Sequence, residues 1–185
     1  KYLKNKKGKI INKELDTSLN RIVKLEICRN EYLDYVKNSN VLKGFDYLIV
    51  MDADGVNNKL NTKNLKNSLL NNINWNAIFA NQSLFYYDIF ALRIDNFISK
   101  NFVTRIKEDL KVKKFKNFKD CVHENLTKFF YLSRIFKERF IKVNSAFGGF
   151  AIYKLNKIIE FKYESNFGVN CEHVKLNEDL NLKYG

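Results

Sequence analysis

An apolar run that ends in two closely spaced aspartates is the feature that most constrains this chain. Residues 45–57 read FDYLIVMDADGVN, so Asp52 and Asp54 follow a hydrophobic stretch, and Gly55 comes next. A short continuous apolar run is typical of a strand that is buried on both faces. Because neighbouring like charges repel, the pair predicts a metal ion, a phosphate–metal complex or chemistry on an aspartate itself. A plain Asx turn with Gly55 is the structural alternative.

The composition favours a globular protein over a nucleic-acid-binding module. The chain has 185 residues, of which 45% are hydrophobic and 15% aromatic, enough for a single domain over 1–185 with its own core. Its formal net charge is +13, which raises the alternative of a nucleic-acid or membrane-surface partner. Arginine, which binds phosphate through two hydrogen bonds at once, is much rarer in this chain than lysine. We therefore predict no nucleic-acid partner and keep peripheral contact with a membrane surface open.

The cysteines indicate the cellular compartment of the protein, and the first residue of the sequence bears on whether it is a fragment. Cys28, Cys121 and Cys171 form an odd set without a C-x-x-C pair, which predicts reduced thiols in the cytoplasm or at the cytoplasmic face of a membrane. No run approaches the roughly 20 apolar residues of a membrane span. The sequence lacks an initiating Met, and we expect it to be a fragment of a longer chain.

Hydrophobic periodicity alternates between helix and strand patterns along the chain. Residues 18–38 have apolar positions at three- and four-residue steps, with Ser18 as a plausible N-cap. The alternation predicts an α/β fold with a largely parallel sheet flanked by helices. The further expected elements are strands at 45–51 and 76–81, a strand–turn–strand unit at 141–155, and helices at 62–73, 95–115, 124–140 and 171–184.

The aspartate pair is a candidate metal site at one edge of that sheet. Ligands of open α/β sheets bind beyond the carboxyl ends of the strands, where Asp52 and Asp54 would lie. Strand alternation puts both side chains on one side. Two hard oxygen ligands suit Mg²⁺ or Mn²⁺ that carries a nucleotide diphosphate, whose oxygens complete the coordination shell.

Basic and polar side chains flank the pair in sequence. Arg21 and Arg29 are two helical turns apart on the preceding helix, and Asn30 follows Arg29; a solvated helix face is the ordinary explanation for such residues. A polar group follows the second predicted strand, at the edge where the aspartates lie. Its members are candidates for binding an acceptor, or for a capped loop with an Asp–Arg ion pair: Asn81, Gln82, Asp88 and Arg93.

Two late motifs add further candidates. Gly148 and Gly149 are adjacent, which allows either close approach of the backbone to a ligand or a tight bend. Glu172 and His173 open the last helix. Glu172 can complement the helix dipole or act as a general base. His173 can bond the backbone, or bind a metal or phosphate, although consecutive helical side chains diverge by about 100°.

A phosphatase of the haloacid-dehalogenase type is the principal alternative at the aspartate pair. Its first motif resembles DADGV, with the first Asp as nucleophile and the second as acid/base. That motif usually lies near the start of the domain and has Thr after the glycine. Here a helix precedes it, and Val56 stands in that position.

The order of these motifs resembles that of GT-A glycosyltransferases that contain a D-x-D motif, over about residues 20–185. Bacterial and viral glycan-building members are similar, and the capsule-type mannosyltransferases more distantly so. The resemblance implies a Rossmann-like, mostly parallel sheet, and the first strand of that fold is missing here. A further strand is expected after Gly185.

The resemblance also implies a reaction and its participants. The donor would be a UDP- or GDP-sugar, the acceptor a glycan or another hydroxyl compound, and the cofactor Mn²⁺ or Mg²⁺. Asp54, helped by Asp52, would bind the metal, with His173 as a further candidate ligand. Glu172 would be the general base of an inverting reaction. Arg21, Arg29, Asn30, Asp52, Gly148 and Gly149 would surround the nucleotide-sugar, and Asn81, Gln82, Asp88 and Arg93 the acceptor.

Overall fold

Six helices and three strands form the secondary structure of the part of the chain that the computed structural model describes. That part comprises residues 8–40, 44–71, 73–81, 86–95, 97–112, 117–135 and 140–184. In chain order the elements are α1 (Arg21–Asn38), β1 (Tyr47–Met51), α2 (Thr62–Leu69), β2 (Ala77–Phe79), α3 (Phe102–Lys111), α4 (Phe118–Ile135), β3 (Phe150–Lys154), α5 (Leu155–Ile158) and α6 (Glu172–Tyr184).

The sheet is antiparallel, and the prediction of a mostly parallel sheet is wrong for it. Its order is β1-β3-β2, and β3 pairs antiparallel with both neighbours. Helix–strand alternation predicted parallel strands because short helical crossovers return the chain to its starting edge. Here β2 and β3 are separated by α3 and α4, and the chain re-enters the sheet at the edge where β2 ends. The fold is therefore mixed α/β with a small antiparallel sheet.

One face of the sheet carries the main core. Leu48 and Val50 on β1 lie opposite Tyr153 and Ala151 on β3. The last three belong to a buried cluster that includes residues of α1 and α6, and Leu48 packs against it. Leu33 is the buried residue of α1 in this cluster. Packing of the two helices onto this face therefore places the start of α6 beside the middle of α1.

The other face of β1 differs from the prediction of burial on both faces. Tyr47, Ile49 and Met51 are 41%, 46% and 53% exposed, while Val50 is 6% exposed. β1 is one of the two edge strands of the described sheet, so its side chains have a neighbouring strand on one side only. The apolar run thus correctly predicted a strand but not its environment.

Several predicted boundaries shift. Asn20, not Ser18, caps α1, because its side-chain oxygen accepts the Val23 N–H at 3.0 Å. The helices predicted at 62–73, 95–115 and 124–140 are observed at Thr62–Leu69, Phe102–Lys111 and Phe118–Ile135. Only the second strand expected within 141–155 forms among the described residues. The last helix is confirmed at Glu172–Tyr184.

None of the helices in the described ranges is long and apolar enough to cross a membrane.

Candidate functional site

The aspartates and the glycine pair meet at one edge of the sheet. Asp52 follows β1 and donates its N–H to the Gly149 carbonyl at 2.9 Å, just before β3 begins. Beyond β2, the Ala80 N–H donates to the Phe150 carbonyl at 2.9 Å. Because β1 and β2 both run opposite to β3, their carboxyl ends share this edge with the amino end of β3. The antiparallel arrangement thus still places the D-x-D motif at a strand-end site.

A turn after β1 fixes the backbone of the motif. The Asn57 amide donates to the carbonyls of Asp52 and Gly149 at 2.9 and 2.8 Å. Gly149 has a φ of +77°, and a Cβ there would lie 2.5 Å from Val56 Cγ1. Glycine is thus required by backbone conformation and by close packing. Gly148 donates its N–H to the Tyr86 hydroxyl at 3.0 Å, so the pair joins three segments.

Arg29 connects the D-x-D edge to the start of α6. Its Nε donates to Glu172 Oε1 at 2.7 Å, and its terminal nitrogen lies 3.4 Å from Asp52 Oδ1. The Glu172 side chain is 4% exposed and that of Asp52 26%. Burial raises the pKa of Asp52, and Arg29 acts in the opposite direction. Three residues far apart in sequence thus form one ionic cluster.

Aromatic rings hold the guanidinium in place. Arg29 Cζ lies 4.9 Å from the ring centre of Phe147 and 5.8 Å from that of Tyr163. Burial acts to lower the pKa of Arg29, but the surroundings, including Tyr32 and Glu172, leave it raised, so the group is charged. Asn30 exchanges two 2.9 Å hydrogen bonds with the Tyr163 backbone and thereby attaches α1 to this region.

Asp54, unlike Asp52, is exposed at the edge. Its Oδ2 accepts a hydrogen bond from the Tyr87 hydroxyl, and its Oδ1 accepts the Val56 N–H at 3.2 Å. These donors lower the pKa of Asp54, whereas the carboxylate raises the pKa of Tyr87 to about 12. Asp54 is therefore an ionised, solvent-accessible carboxylate held in one orientation.

Asp88 lies next to the ionic cluster of Arg29, Asp52 and Glu172. Its Oδ1 accepts the N–H groups of Phe90 and Ala91 at 3.1 and 3.2 Å, which fixes the turn after Tyr87. Cys171 Sγ lies 4.0 Å from Asp88 Oδ2 and 3.6 Å from Glu172 Oε2. Burial raises the pKa of Asp88 against those backbone bonds, and burial also raises the pKa of the Cys171 thiol. The thiol is therefore protonated between two carboxylates.

His173 lies in the core. It is 0% exposed, stacks on Phe147 at a ring separation of 3.8 Å, and meets Tyr163 edge-on at 5.3 Å. Neither ring nitrogen has a hydrogen-bond partner among the described residues, although Nε2 lies 3.7 Å from Glu172 Oε1. Burial, followed by the charge of Arg29, lowers the pKa of His173 well below its usual value, so the ring is neutral.

The remaining predicted site residues lie outside the ionic cluster of Arg29, Asp52 and Glu172. Arg21 is exposed at the start of α1, about 12 Å along the helix axis from Arg29. Asn81 is exposed two residues beyond β2, and Gln82 lies outside the described residues. Arg93 is 4% exposed and donates to the carbonyls of Phe90 and Leu92 at 2.9 and 2.7 Å. Its guanidinium thus supports its own loop.

Two carboxylates are the available donors for a metal ion at the edge. In the described ranges no group of three or more His, Cys, Asp and Glu side chains could hold a metal, so His173 does not join Asp52 and Asp54 in such a group. Mg²⁺ is commonly bound by one or two carboxylates together with substrate phosphates and water. The donor set therefore fits a cation that arrives with, or is completed by, a diphosphate.

Sequence reasoning missed four contributors. Asn57 and Tyr86 fix the backbone around the motif, Tyr87 orients Asp54, and Cys171 separates two carboxylates. Two signals were present: an Asn soon after D-x-D-G, and consecutive tyrosines before Asp88. Their partners come from distant segments, which local patterns do not reveal.

Comparison of this chain with protein-family models, curated proteins and solved structures found no match.

Proposed function

We propose that this chain is the catalytic part of a metal-dependent glycosyltransferase of the GT-A type. It would transfer a sugar from a UDP- or GDP-sugar to a hydroxyl of a glycan or similar acceptor. The capsule-type mannosyltransferases are the more distant analogy. The proposal rests on the resemblance in motif order and on the geometry at the sheet edge.

The contact of Arg29 with both Asp52 and Glu172 is the observation that carries the proposal. It joins the D-x-D motif and the acidic residue at the start of α6, which are 120 positions apart in sequence. An inverting transferase of this type needs a donor-binding carboxylate pair and an acceptor-side carboxylate at one site, whereas a retaining one does not require the latter. Asp88 lies near Glu172 across the Cys171 thiol, where it could bind acceptor hydroxyls.

We assign metal binding and proton transfer to different carboxylates of the site. Asp54, exposed and ionised, would hold Mn²⁺ or Mg²⁺ on the donor diphosphate, with Asp52 as the second carboxylate. The metal ion, when bound, neutralises charge on the leaving nucleoside diphosphate. In an inverting reaction the acceptor oxygen bonds to the anomeric carbon as the bond from that carbon to phosphate breaks. Glu172 would take the hydroxyl proton in that step.

A thermal-shift screen of UDP- and GDP-sugars, with Mn²⁺ or with EDTA, tests the proposal. We expect one donor to raise the melting temperature only when the metal is present. Asp54→Asn should remove that shift and lower donor hydrolysis or transfer at least 100-fold, as loss of a metal ligand does. Asp46→Asn is the matched control, because Asp46 precedes the same strand at its opposite end and is exposed.

Other outcomes identify other functions. Full activity of the Asp54→Asn variant would contradict the metal assignment. A stable phosphate-mimic adduct on Asp52, formed with beryllium fluoride, would indicate the phosphatase. Salt-sensitive binding of RNA or DNA that survives loss of both aspartates would indicate a basic binding module. Four carboxylates and one arginine line the candidate site, a charge balance that disfavours phosphate backbones there.

A further inference from the structure

Arg29 lies in the ionic cluster with Glu172 and Asp52, and two of its nitrogens face these protein carboxylates. Its side chain is 13% exposed, with Glu172 Oε1 2.7 Å from Nε and Asp52 Oδ1 3.4 Å from a terminal nitrogen. A planar guanidinium presents five N–H donors in a fixed fork, so bonding one carboxylate also determines where the others point. Its direction is therefore set by Glu172 and Asp52.

The surroundings of Arg29 restrict its movement toward a nucleotide. Phe147 and Tyr163 lie against the guanidinium, at 4.9 and 5.8 Å from Cζ. One position further along α1, Asn30 bonds the Tyr163 backbone twice, which holds the helix at this point. If Arg29 moved away from Glu172 toward a phosphate, the Glu172 carboxylate would be buried without a cation. Such separation is costly because the Glu172 side chain is 4% exposed.

We propose that Arg29 is a positioning residue that links Asp52 on the donor side to Glu172 on the acceptor side, rather than a residue that contacts the nucleotide. This role rests on the proposed transferase function and deepens it. By fixing both carboxylates against one guanidinium, Arg29 sets the separation between the D-x-D edge and the start of α6. Loss of that geometry should reduce turnover more than donor binding.

Binding of Mn²⁺ alone, and of UDP and GDP to the Mn²⁺-loaded protein, separates the two roles. The variants are Arg29→Met, Arg29→Lys and the double variant R29M/E172Q, which removes the buried pair completely and so preserves the fold if Arg29→Met does not. Electron paramagnetic resonance reports free Mn²⁺, and calorimetry reports nucleotide binding. Lys107→Met is the matched control, because Lys107 is an exposed basic residue of α3.

A positioning role predicts that removal of the guanidinium does not weaken the binding of Mn²⁺ or of the nucleotide. We expect Arg29→Met to bind Mn²⁺ about threefold more tightly or better, since a positive charge beside Asp52 is gone. The affinity of the favoured nucleotide should stay within about twofold of wild type. A loss of nucleotide affinity of about tenfold or more, with Mn²⁺ binding unchanged, would overturn the proposal and assign Arg29 to the nucleotide.

Kinetics with the donor found in the thermal-shift screen give a second readout. Arg29→Met should lower kcat at least tenfold while the donor KM changes less than twofold, and Arg29→Lys should restore part of kcat by keeping the charge. A rise in donor KM with unchanged kcat would contradict positioning. If wild-type protein neither binds a nucleotide with Mn²⁺ nor transfers a sugar, the proposed function itself fails, and this role fails with it.

Discussion

At the scale of single residues, His173 shows how burial changes the chemistry of a side chain that sequence alone marked as a metal candidate. The ring lies between Phe147 and Tyr163, without a hydrogen-bond partner in the described part of the chain. Its folded-state pKa is depressed mainly by burial. In the unfolded chain a histidine titrates near 6.5. Below that pH the unfolded state therefore binds a proton that the folded state does not bind.

We expect His173 to make the protein less stable as the pH falls below about 6.5. The free energy of unfolding should decrease with a slope that approaches about 1.4 kcal/mol per pH unit from this group. His173→Phe, which keeps an aromatic ring against Phe147, should remove that slope. Urea unfolding at pH 7.5, 6.5 and 5.5 measures it.

The difference in slope between wild type and His173→Phe isolates the contribution of this ring. Asp52 and Asp88 have raised pKa values and contribute a slope of opposite sign, but they are present in every variant and cancel in the comparison. An identical pH dependence in wild type and His173→Phe would show that His173 is not held neutral.

At the scale of secondary-structure elements, the join between β1 and β3 determines where the aspartates point. Gly149 accepts hydrogen bonds from Asp52 and Asn57 through its carbonyl, and it packs against Val56 from the turn after β1. The edge is therefore held by one backbone bond and one side-chain bond between two segments about 95 residues apart. A side chain at Gly149 would push these segments apart.

Gly149→Ala should destabilise the protein by roughly 2–3 kcal/mol, which combines a positive φ with a clash against Val56. Val56→Ala, added to it, should recover part of the loss by removing the clashing methyl group. Gly8→Ala is the control, since a Cβ there meets nothing within 4 Å. Chemical unfolding measures all four proteins, and wild-type stability of Gly149→Ala would refute this packing.

At the scale of the whole molecule, the fold determines the accessibility of the three thiols. Cys28 is exposed on α1, whereas Cys121 and Cys171 are 0% and 9% exposed. The reactivity of Cys171 is lowered further, because burial, Asp88 and Glu172 all raise the pKa of its thiol. Thiolate is the reactive form, so the site protects this cysteine in two ways.

We expect one thiol to react rapidly with Ellman's reagent at pH 8 in the native protein and all three of the sequence's cysteines to react in denaturant. Cys28→Ser should abolish the rapid native reaction and leave the denatured count lower by one. Rapid reaction in native Cys28→Ser protein would mean that Cys121 or Cys171 is accessible, contrary to their observed burial.

The sequence alone determined the local features of this protein. Periodicity predicted α1, α6 and the strand before the aspartates, because those patterns arise from contacts between near neighbours. A strand-end location for Asp52 and Asp54 also followed from the abrupt change from apolar to acidic residues. The cap of α1 was displaced by two residues, since Ser18 and Asn20 are both good caps and only packing selects between them.

Only the tertiary structure decided how these parts combine. Strand direction depends on where the chain re-enters the sheet after α3 and α4, which no local pattern encodes. The pairing of Arg29 with Glu172 and Asp52, and the burial of His173 and Arg93, likewise depend on how α1, α6 and the loops pack together. Sequence supplies the chemical groups, and long-range packing sets their distances, exposure and charge, because burial and partner choice are properties of the assembled chain.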